Sequence, residues 1–410
     1  MRADIFCRVV DNYGDIGVCW RLARRLSGGH GWQVRLWVDD LRAFARIQPG
    51  ILTDGTPQVH SGIDIVHWTP SPPALDPGDV VIEAFACDPP ASFIEAMRRR
   101  QTDTQDRAPL WINLEYLSAE PWVEGCHGLP STRSDGLLKY FFFPGFTPAT
   151  GGLLREPGIS EERNAFQASR GTQEQFLRGL GLANAALGHW RAGARLVSLF
   201  CYPHAPVAAL AHALARDTQP TLLWVPEGVA PGLEQAVADP LAGHVQIARA
   251  PFVTQPDFDR LLWCADLNFV RGEDSFVRAA WAARPLVWQI YPQDDDAHRN
   301  KLEAWLTRYP APPQVQSVIR AWNTPGPGQT TSGDQANADT VDSAVSNTID
   351  GTDIDPTGAD AVSAVLAAAL RPATWQDWQN AALAWDAAQA KLPDLGDRLV
   401  DFCTELSRKR

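Results

Sequence analysis

Leu267-Asn-Phe-Val-Arg-Gly-Glu-Asp-Ser-Phe-Val-Arg278 is the stretch on which the reading of the fold turns. Leu267–Val270 is a short apolar run of the kind that forms a strand buried on both faces. Ser275–Ala283 has helical spacing, and only Arg271-Gly-Glu-Asp274 separates the two. A strand that passes so directly into a helix is half of a βαβ unit. The same rhythm extends on both sides. Upstream come strands at Arg195–Phe200, Thr221–Val225 and His244–Ile247, with helices at Ala205–Ala215 and Pro256–Cys264; downstream come a strand at Leu286–Ile290 and a helix at Asp295–Leu306. The first third of the chain repeats the pattern. Ala3–Val9, Gln33–Val38, Ile63–His67, Asp79–Ala84 and Leu110–Leu114 read as strands, and Val18–Leu26 and Ser92–Arg100 as helices. Two such series predict an α/β protein of two parallel sheets with helices on their faces and a cleft between them. Ligands in such sheets bind beyond the carboxyl ends of the strands.

The expected domains are 1–165 and 175–390. The pattern weakens from Leu117 to Arg170, where only Leu138–Phe143 reads as a strand and long loops are predicted. Residues 323–360 are rich in Thr, Ser, Gly, Asp and Ala, contain no Lys, Arg or aromatic residue, and carry seven Asp. This composition predicts a disordered insert. The chain has a net charge of -12, and without those seven Asp it would be -5, so the folded body is only mildly acidic. The tail reads as helical, and the segment 393–410 as a last helix that crosses back onto the first domain.

Composition excludes several classes. A balance of 36 Lys+Arg against 48 Asp+Glu does not suit a protein that coats nucleic acid or an anionic membrane. No apolar run approaches the ~18 residues of a membrane span. Seven scattered cysteines without a CxxC pair point to a reducing cytoplasm. No GxGxxG, P-loop or GxSxG motif occurs.

Chemistry-bearing residues fall in three places. Asp11-Asn-Tyr-Gly-Asp-Ile-Gly17 joins the first strand to the first helix. Gly14 and Gly17 allow close approach of a ligand to the backbone, but Asp11 and Asp15 would repel a phosphate. These carboxylates suit a general base or a cationic acceptor; simple capping, by Asp15 of the helix and by Asp11 in an Asx-turn, is the alternative. In the second half, Arg271, Asp274 and Ser275 at a helix start form a candidate diphosphate seat. Glu273 could orient a sugar hydroxyl, bind the acceptor or hold Arg271. Phe200, Tyr202 and Phe252 follow strands and could stack a planar base whose edge Gln255 reads, with core packing as the alternative. Asp294-Asp295-Asp296 has the composition of an acidic metal site, but it also opens a helix, where acidic residues are ordinary.

The motifs Asp11–Gly17, Ser198-Leu-Phe-Cys-Tyr202, Asn268–Arg278 and Trp288-Gln-Ile-Tyr-Pro-Gln293 resemble those of the bacterial protein-arginine rhamnosyltransferases that modify elongation factor P. The similarity extends over nearly all of the chain except 323–360. The resemblance implies a GT-B fold, two Rossmann-like domains facing a cleft. It implies inverting transfer of rhamnose from dTDP-β-L-rhamnose to one arginine guanidinium of elongation factor P, which activates that factor for polyproline translation. No metal and no further cofactor is expected. On this resemblance Asp15 is the catalytic aspartate, with Asp11 beside it and Glu273 as the active-site glutamate. Donor contacts fall on Phe200, Tyr202, Phe252, Gln255, Arg271, Asp274 and Ser275, with Tyr13, Gly14 and Gly17 as further candidates. Two other functions would use the same residues: a sugar-nucleotide enzyme or epimerase with a small-molecule substrate, and a non-catalytic protein that grips a translation factor.

Overall fold

The computed structural model describes residues 1–103, 108–237, 244–293, 296–324 and 356–409. The chain divides into two compact units. Unit 1 comprises Met1–Ile159, Lys301–Arg308 and Ala387–Arg410; unit 2 comprises Ser160–Asn300 and Tyr309–Asp386.

Unit 1 is built on eight strands: β1 (Arg2–Cys7), β2 (Gln33–Val38), β3 (Gln58–His60), β4 (Ile63–His67), β5 (Val80–Ala84), β6 (Leu110–Leu114), β7 (Pro130–Thr132) and β8 (Leu138–Phe142). Their order is β3-β4-β2-β1-β5-β6-β8-β7. The six inner strands run parallel, and the short edge strands β3 and β7 pair antiparallel. Alternation along β1 explains the two-faced core. Ala3, Ile5 and Cys7 pack with Ile16, Cys19 and Trp20 of the Gly14–Arg24 helix. Phe6 points the other way, into a cluster with Trp37, Trp111 and Phe93. Asp4 is fully buried on that second face, and its charge is met by Arg35 (2.7 and 2.9 Å), Trp37 Nε1 (2.9 Å) and the Gly78 amide (2.7 Å).

The C-terminal helix, Leu395–Lys409, belongs to unit 1 and contributes Leu395, Leu399 and Cys403 to the core. Asp394 and Asp397 bind the buried Arg25 at 2.9 and 2.5 Å. Arg25 opens a π-helical turn, Arg25–Gly29, that ends the first helix of the unit. Leu399 is fully buried, so Leu399→Ala should destabilise unit 1 by about 2–5 kcal/mol, the cost of a cavity in a packed core. Denaturant unfolding followed by tryptophan fluorescence would read this, and a change within error of zero would show that the helix does not stabilise the unit.

Unit 2 carries β9 (Arg195–Leu199), β10 (Thr221–Pro226), β11 (Val245–Ala250), β12 (Leu267–Arg271) and β13 (Leu286–Gln289), all parallel, in the order β11-β10-β9-β12-β13. In both units the order reverses about one strand. In unit 1 the chain moves from β1 to β2 on one side and to β5 on the other; in unit 2 it moves from β9 to β10 and to β12. Such reversal points leave a crevice at the carboxyl ends of the strands. Asp11–Gly17 follows β1, Phe200 and Tyr202 follow β9, and Arg271 ends β12.

Two expectations need correction. The stretch 117–170 is not only loops: it holds helices Trp122–Cys126 and Ile159–Ala168 and the strand β7. The expected insert 323–360 is too wide at both ends. Asn323 belongs to unit 2, where its side chain donates to the carbonyls of Trp288 (2.7 Å) and Ile319 (2.8 Å) and accepts from the Ile290 amide (2.9 Å). A helix starts at Pro356. Residues 325–355 lie outside the described residues.

Candidate functional site

Unit 1 presents a group of acidic residues beyond β1. The chain leaves β1 at Cys7 and re-enters regular structure at Gly14, and Asn12 makes the turn at a φ of +34°. The Gly14 amide donates to the Asp11 carbonyl at 2.6 Å. A Cβ at Gly14 would come within 2.7 Å of Asp11 Oδ2, so a larger residue there would displace the Asp11 carboxylate. Gly17 lies buried in the helix, its amide bonded to the Tyr13 carbonyl at 2.9 Å. Tyr13 is the residue before the helix and caps nothing with its side chain.

Asp15 sits in the first helical turn with 3% of its surface exposed. Its Oδ2 accepts from the amides of Val10 and Asp11, each at 2.8 Å. It therefore ties down the preceding loop and does not cap its own helix. Burial pushes its pKa up to about 6, helped by the negative charges of Asp11 and Asp39 and opposed by the two amides. A carboxylate poised there is far more basic than an exposed one. Asp39, at the end of β2, also faces this loop: its Oδ1 accepts from the Val9 amide at 2.9 Å, and burial raises its pKa. Asp39 escaped the sequence reading. Its position at the carboxyl end of a parallel strand, next to the first strand, was the available signal.

Unit 2 assembles rings and a cation. Arg271 lies with its guanidinium carbon 4.4 Å from the centre of the Phe200 ring and 4.8 Å from that of Tyr202, and it donates to the Cys201 carbonyl at 3.3 Å. Phe200 meets Phe252 edge-on at 6.3 Å and Phe258 at 6.0 Å. Tyr202 stacks parallel to His204 at 5.8 Å and meets Tyr291 edge-on at 5.8 Å. The Tyr202 amide is held by Gln289 Oε1 at 2.7 Å.

Gly272, at a φ of +65°, turns the chain from β12 into the Asp274–Trp281 helix, and its carbonyl accepts from Trp288 Nε1 at 2.7 Å. Glu273 is the residue at the helix start. Ser275 is buried; its hydroxyl bonds the Arg271 carbonyl and accepts the Arg271 amide at 3.2 Å. It thus spends its hydroxyl on the turn that aims Arg271. Gln255 opens a neighbouring helix and donates to Asp274 Oδ2 at 3.4 Å. A buried pair, Arg278 with Asp259 at 2.8 and 3.0 Å, locks these two helices together.

The structure therefore gathers Asp11, Tyr13, Gly14, Asp15 and Gly17 in unit 1. In unit 2 it gathers Phe200, Tyr202, Phe252, Gln255, Arg271, Glu273, Asp274 and Ser275. Phe258, His204 and Tyr291 complete the second group and were not singled out from sequence, although Tyr291 lies within the motif Trp288–Gln293. Asp294 and Asp295 lie outside the described residues. Among the described residues no group of three or more His, Cys, Asp or Glu is placed to hold a metal ion.

A solved glycosyltransferase of Rickettsia africae superposes on this chain with a TM-score of 0.50 at 8% identity, over 100% of this chain and 99% of that one, which speaks for the fold alone. Two Rossmann-like units of this topology make the GT-B fold of glycosyltransferases. Residues 3–404 match the family described as "Elongation-Factor P (EF-P) rhamnosyltransferase EarP", and the chain belongs to that family. A protein-arginine rhamnosyltransferase of Pseudomonas putida is 45% identical over 97% of both chains. One from Pseudomonas aeruginosa is 49% identical over 79% of this chain and 87% of its own. A solved structure described as "Structural basis for EarP-mediated arginine glycosylation of translation elongation factor EF-P" aligns at 31% identity and a TM-score of 0.57, covering 98% of this chain and 99% of that one.

Proposed function

We propose that this protein transfers rhamnose from dTDP-β-L-rhamnose, with inversion, to an arginine guanidinium of elongation factor P. The observation that carries the reading is the Asp15 carboxylate, buried, fixed by two amides and with its pKa raised to about 6, in a chain of the EF-P rhamnosyltransferase family. A guanidinium is protonated at neutral pH and is a poor nucleophile. In the transfer a guanidinium nitrogen forms a bond to the anomeric carbon, the bond from that carbon to the diphosphate oxygen breaks, and the nitrogen gives up a proton. Asp15 takes that proton, while Asp11 holds the rest of the guanidinium. The diphosphate leaves as an anion. Arg271 and the positive end of the helix dipole at Asp274 stabilise the charge that builds on it. Phe200 and Phe252, which are only partly buried, offer faces for the thymine, whereas Tyr202 and Gln255, each 5% exposed, support Arg271 and Asp274 from within the unit.

Two supporting observations bear on where the protein works. Its seven cysteines are all free thiols, as in a reducing compartment, and among the described residues no helix is long and apolar enough to cross a membrane. We place it in the cytoplasm with the translation factor. Incubating the purified protein with elongation factor P and dTDP-rhamnose, followed by peptide mass mapping, tests the function. The expected result is a deoxyhexose-sized mass gain on one arginine peptide. A modified small molecule with elongation factor P left unchanged would replace this reading with that of a small-molecule glycosyltransferase.

A further inference from the structure

Three consecutive amides beyond β1 are held by two carboxylates that lie far apart in sequence. The Val9 amide donates to Asp39 Oδ1 at 2.9 Å, and the amides of Val10 and Asp11 donate to Asp15 Oδ2 at 2.8 Å each. The pairing of β1 with β2 sets Cys7 beside Val38, so Asp39 follows one residue beyond the last pair and flanks the loop from the outside. Asp15 flanks it from the helix. The path of the loop, and with it the orientation of the Asp15 carboxyl group, is therefore fixed from both sides.

The charged and titratable groups around this pair are few. Arg8, which lies over the Trp68 ring at 5.0 Å, attracts Asp39. His67, on β4, approaches the Asp39 carbonyl at 3.3 Å through Nε2. Asp40 follows Asp39 and binds amides of its own helix start. Asp11 and the buried Cys7 thiol interact with Asp15 from the β1 side. Arg8 is exposed and Asp39 is only half-buried, so this cation does not cancel the field of Asp39 at the buried Asp15.

We propose that Asp39 is a positioning residue for the transfer reaction, an inference that rests on Asp15 being the base. Asp39 pins the first amide of the loop whose next two amides hold Asp15, and its negative charge makes Asp15 bind a proton more tightly. A base that binds its proton more tightly removes one from the guanidinium more readily, so Asp39 raises the reactivity of Asp15 without touching the substrate.

Asp39→Asn separates the two roles, because the amide oxygen still accepts from Val9 while the charge is gone. In the parent, kcat/KM should rise with pH and level off above about 6. In Asp39→Asn that limb should move to lower pH, the direction expected on losing a nearby like charge, with dTDP affinity unchanged. Asp39→Ala also loses the amide clamp and should show the same displacement with a further ~10-fold fall in kcat, on the order of the cost of misaligning a general base. A folded Asp39→Asn whose limb stays where the parent's is would overturn the proposal and leave the base reading of Asp15 intact. A parent with no limb near pH 6, or an Asp15→Asn protein that keeps it, would overturn the base reading itself, and the role of Asp39 with it. If the Asp39 variants do not fold, carboxyl carbon shifts of aspartate-labelled parent protein decide the matter. Asp15, identified by the resonance lost in Asp15→Asn, should show a step at the pH where the Asp39 resonance itself titrates, apart from any step shared with Asp11; its absence would refute the coupling.

Discussion

Asp15→Asn is expected to lower kcat for arginine rhamnosylation by ~10²–10⁴-fold, the range associated with loss of a general base, while dTDP still binds. Asparagine keeps an oxygen for the amides of Val10 and Asp11 but cannot take a proton. The same substitution should make the protein more stable at neutral pH. The folded-state pKa of Asp15 is raised from 3.8 to about 6, so the folded protein holds this proton more tightly than the unfolded chain. The stability that comes from it is complete below about pH 4 and is lost as pH rises through about 6. Over that interval the loss is about 3 kcal/mol. Asp15→Asn does not incur it, so its advantage over the parent should be largest above pH 7 and should shrink toward zero near pH 4. Thermal melts across this range, run beside the rate measurements, make the test. Parent-like turnover would remove Asp15 as the base, and a stability difference independent of pH would show that its ionised form is not disfavoured by burial.

Arg271→Ala should weaken dTDP binding by roughly 10–100-fold, the worth of one or two charge-assisted hydrogen bonds to a diphosphate. It should also lower kcat, because a fixed cation assists most when charge develops on the leaving group. The structure explains why this arginine is ready for the task. Its guanidinium rests on the faces of Phe200 and Tyr202, and the turn it ends is closed by the Ser275 hydroxyl and by Gly272. Lysine at this position keeps the charge but loses the planar fork, so Arg271→Lys should fall between parent and Ala. Titration calorimetry with dTDP and with thymidine separates the contributions: the loss should be larger for dTDP. Equal affinities of parent and Arg271→Ala for dTDP would rule out the diphosphate seat.

Much of this framework was legible in the chain because buried parallel strands are almost wholly apolar. Gln33–Val38 and Leu110–Leu114 could be bounded to the residue, and the strand-to-helix passage at Leu267–Arg278 identified its βα unit. What escaped has a common cause. Gln58–His60 and Pro130–Thr132 are strands because a neighbour pairs with them, and neither carries an apolar pattern of its own. Trp122–Cys126 is too short to show a helical period. Asn323 looked like the start of a polar tract, yet its amide completes the end of a helix and of β13.

By itself the sequence determined the two βα series, the carboxylates after the first strand and the arginine at the later helix start, since each depends only on local spacing. It could not decide whether Asp15 capped its own helix or tied down the loop before it, or how deeply Phe200 and Tyr202 were buried. Those questions turn on burial and on partners brought from elsewhere in the chain. Asp15 is basic chiefly because packing removes water from it, with smaller contributions from the charge of Asp11 and, last, from that of Asp39, which β2 carries alongside the loop. Desolvation and long-range charge belong to the folded chain, and no reading of neighbours in sequence contains them.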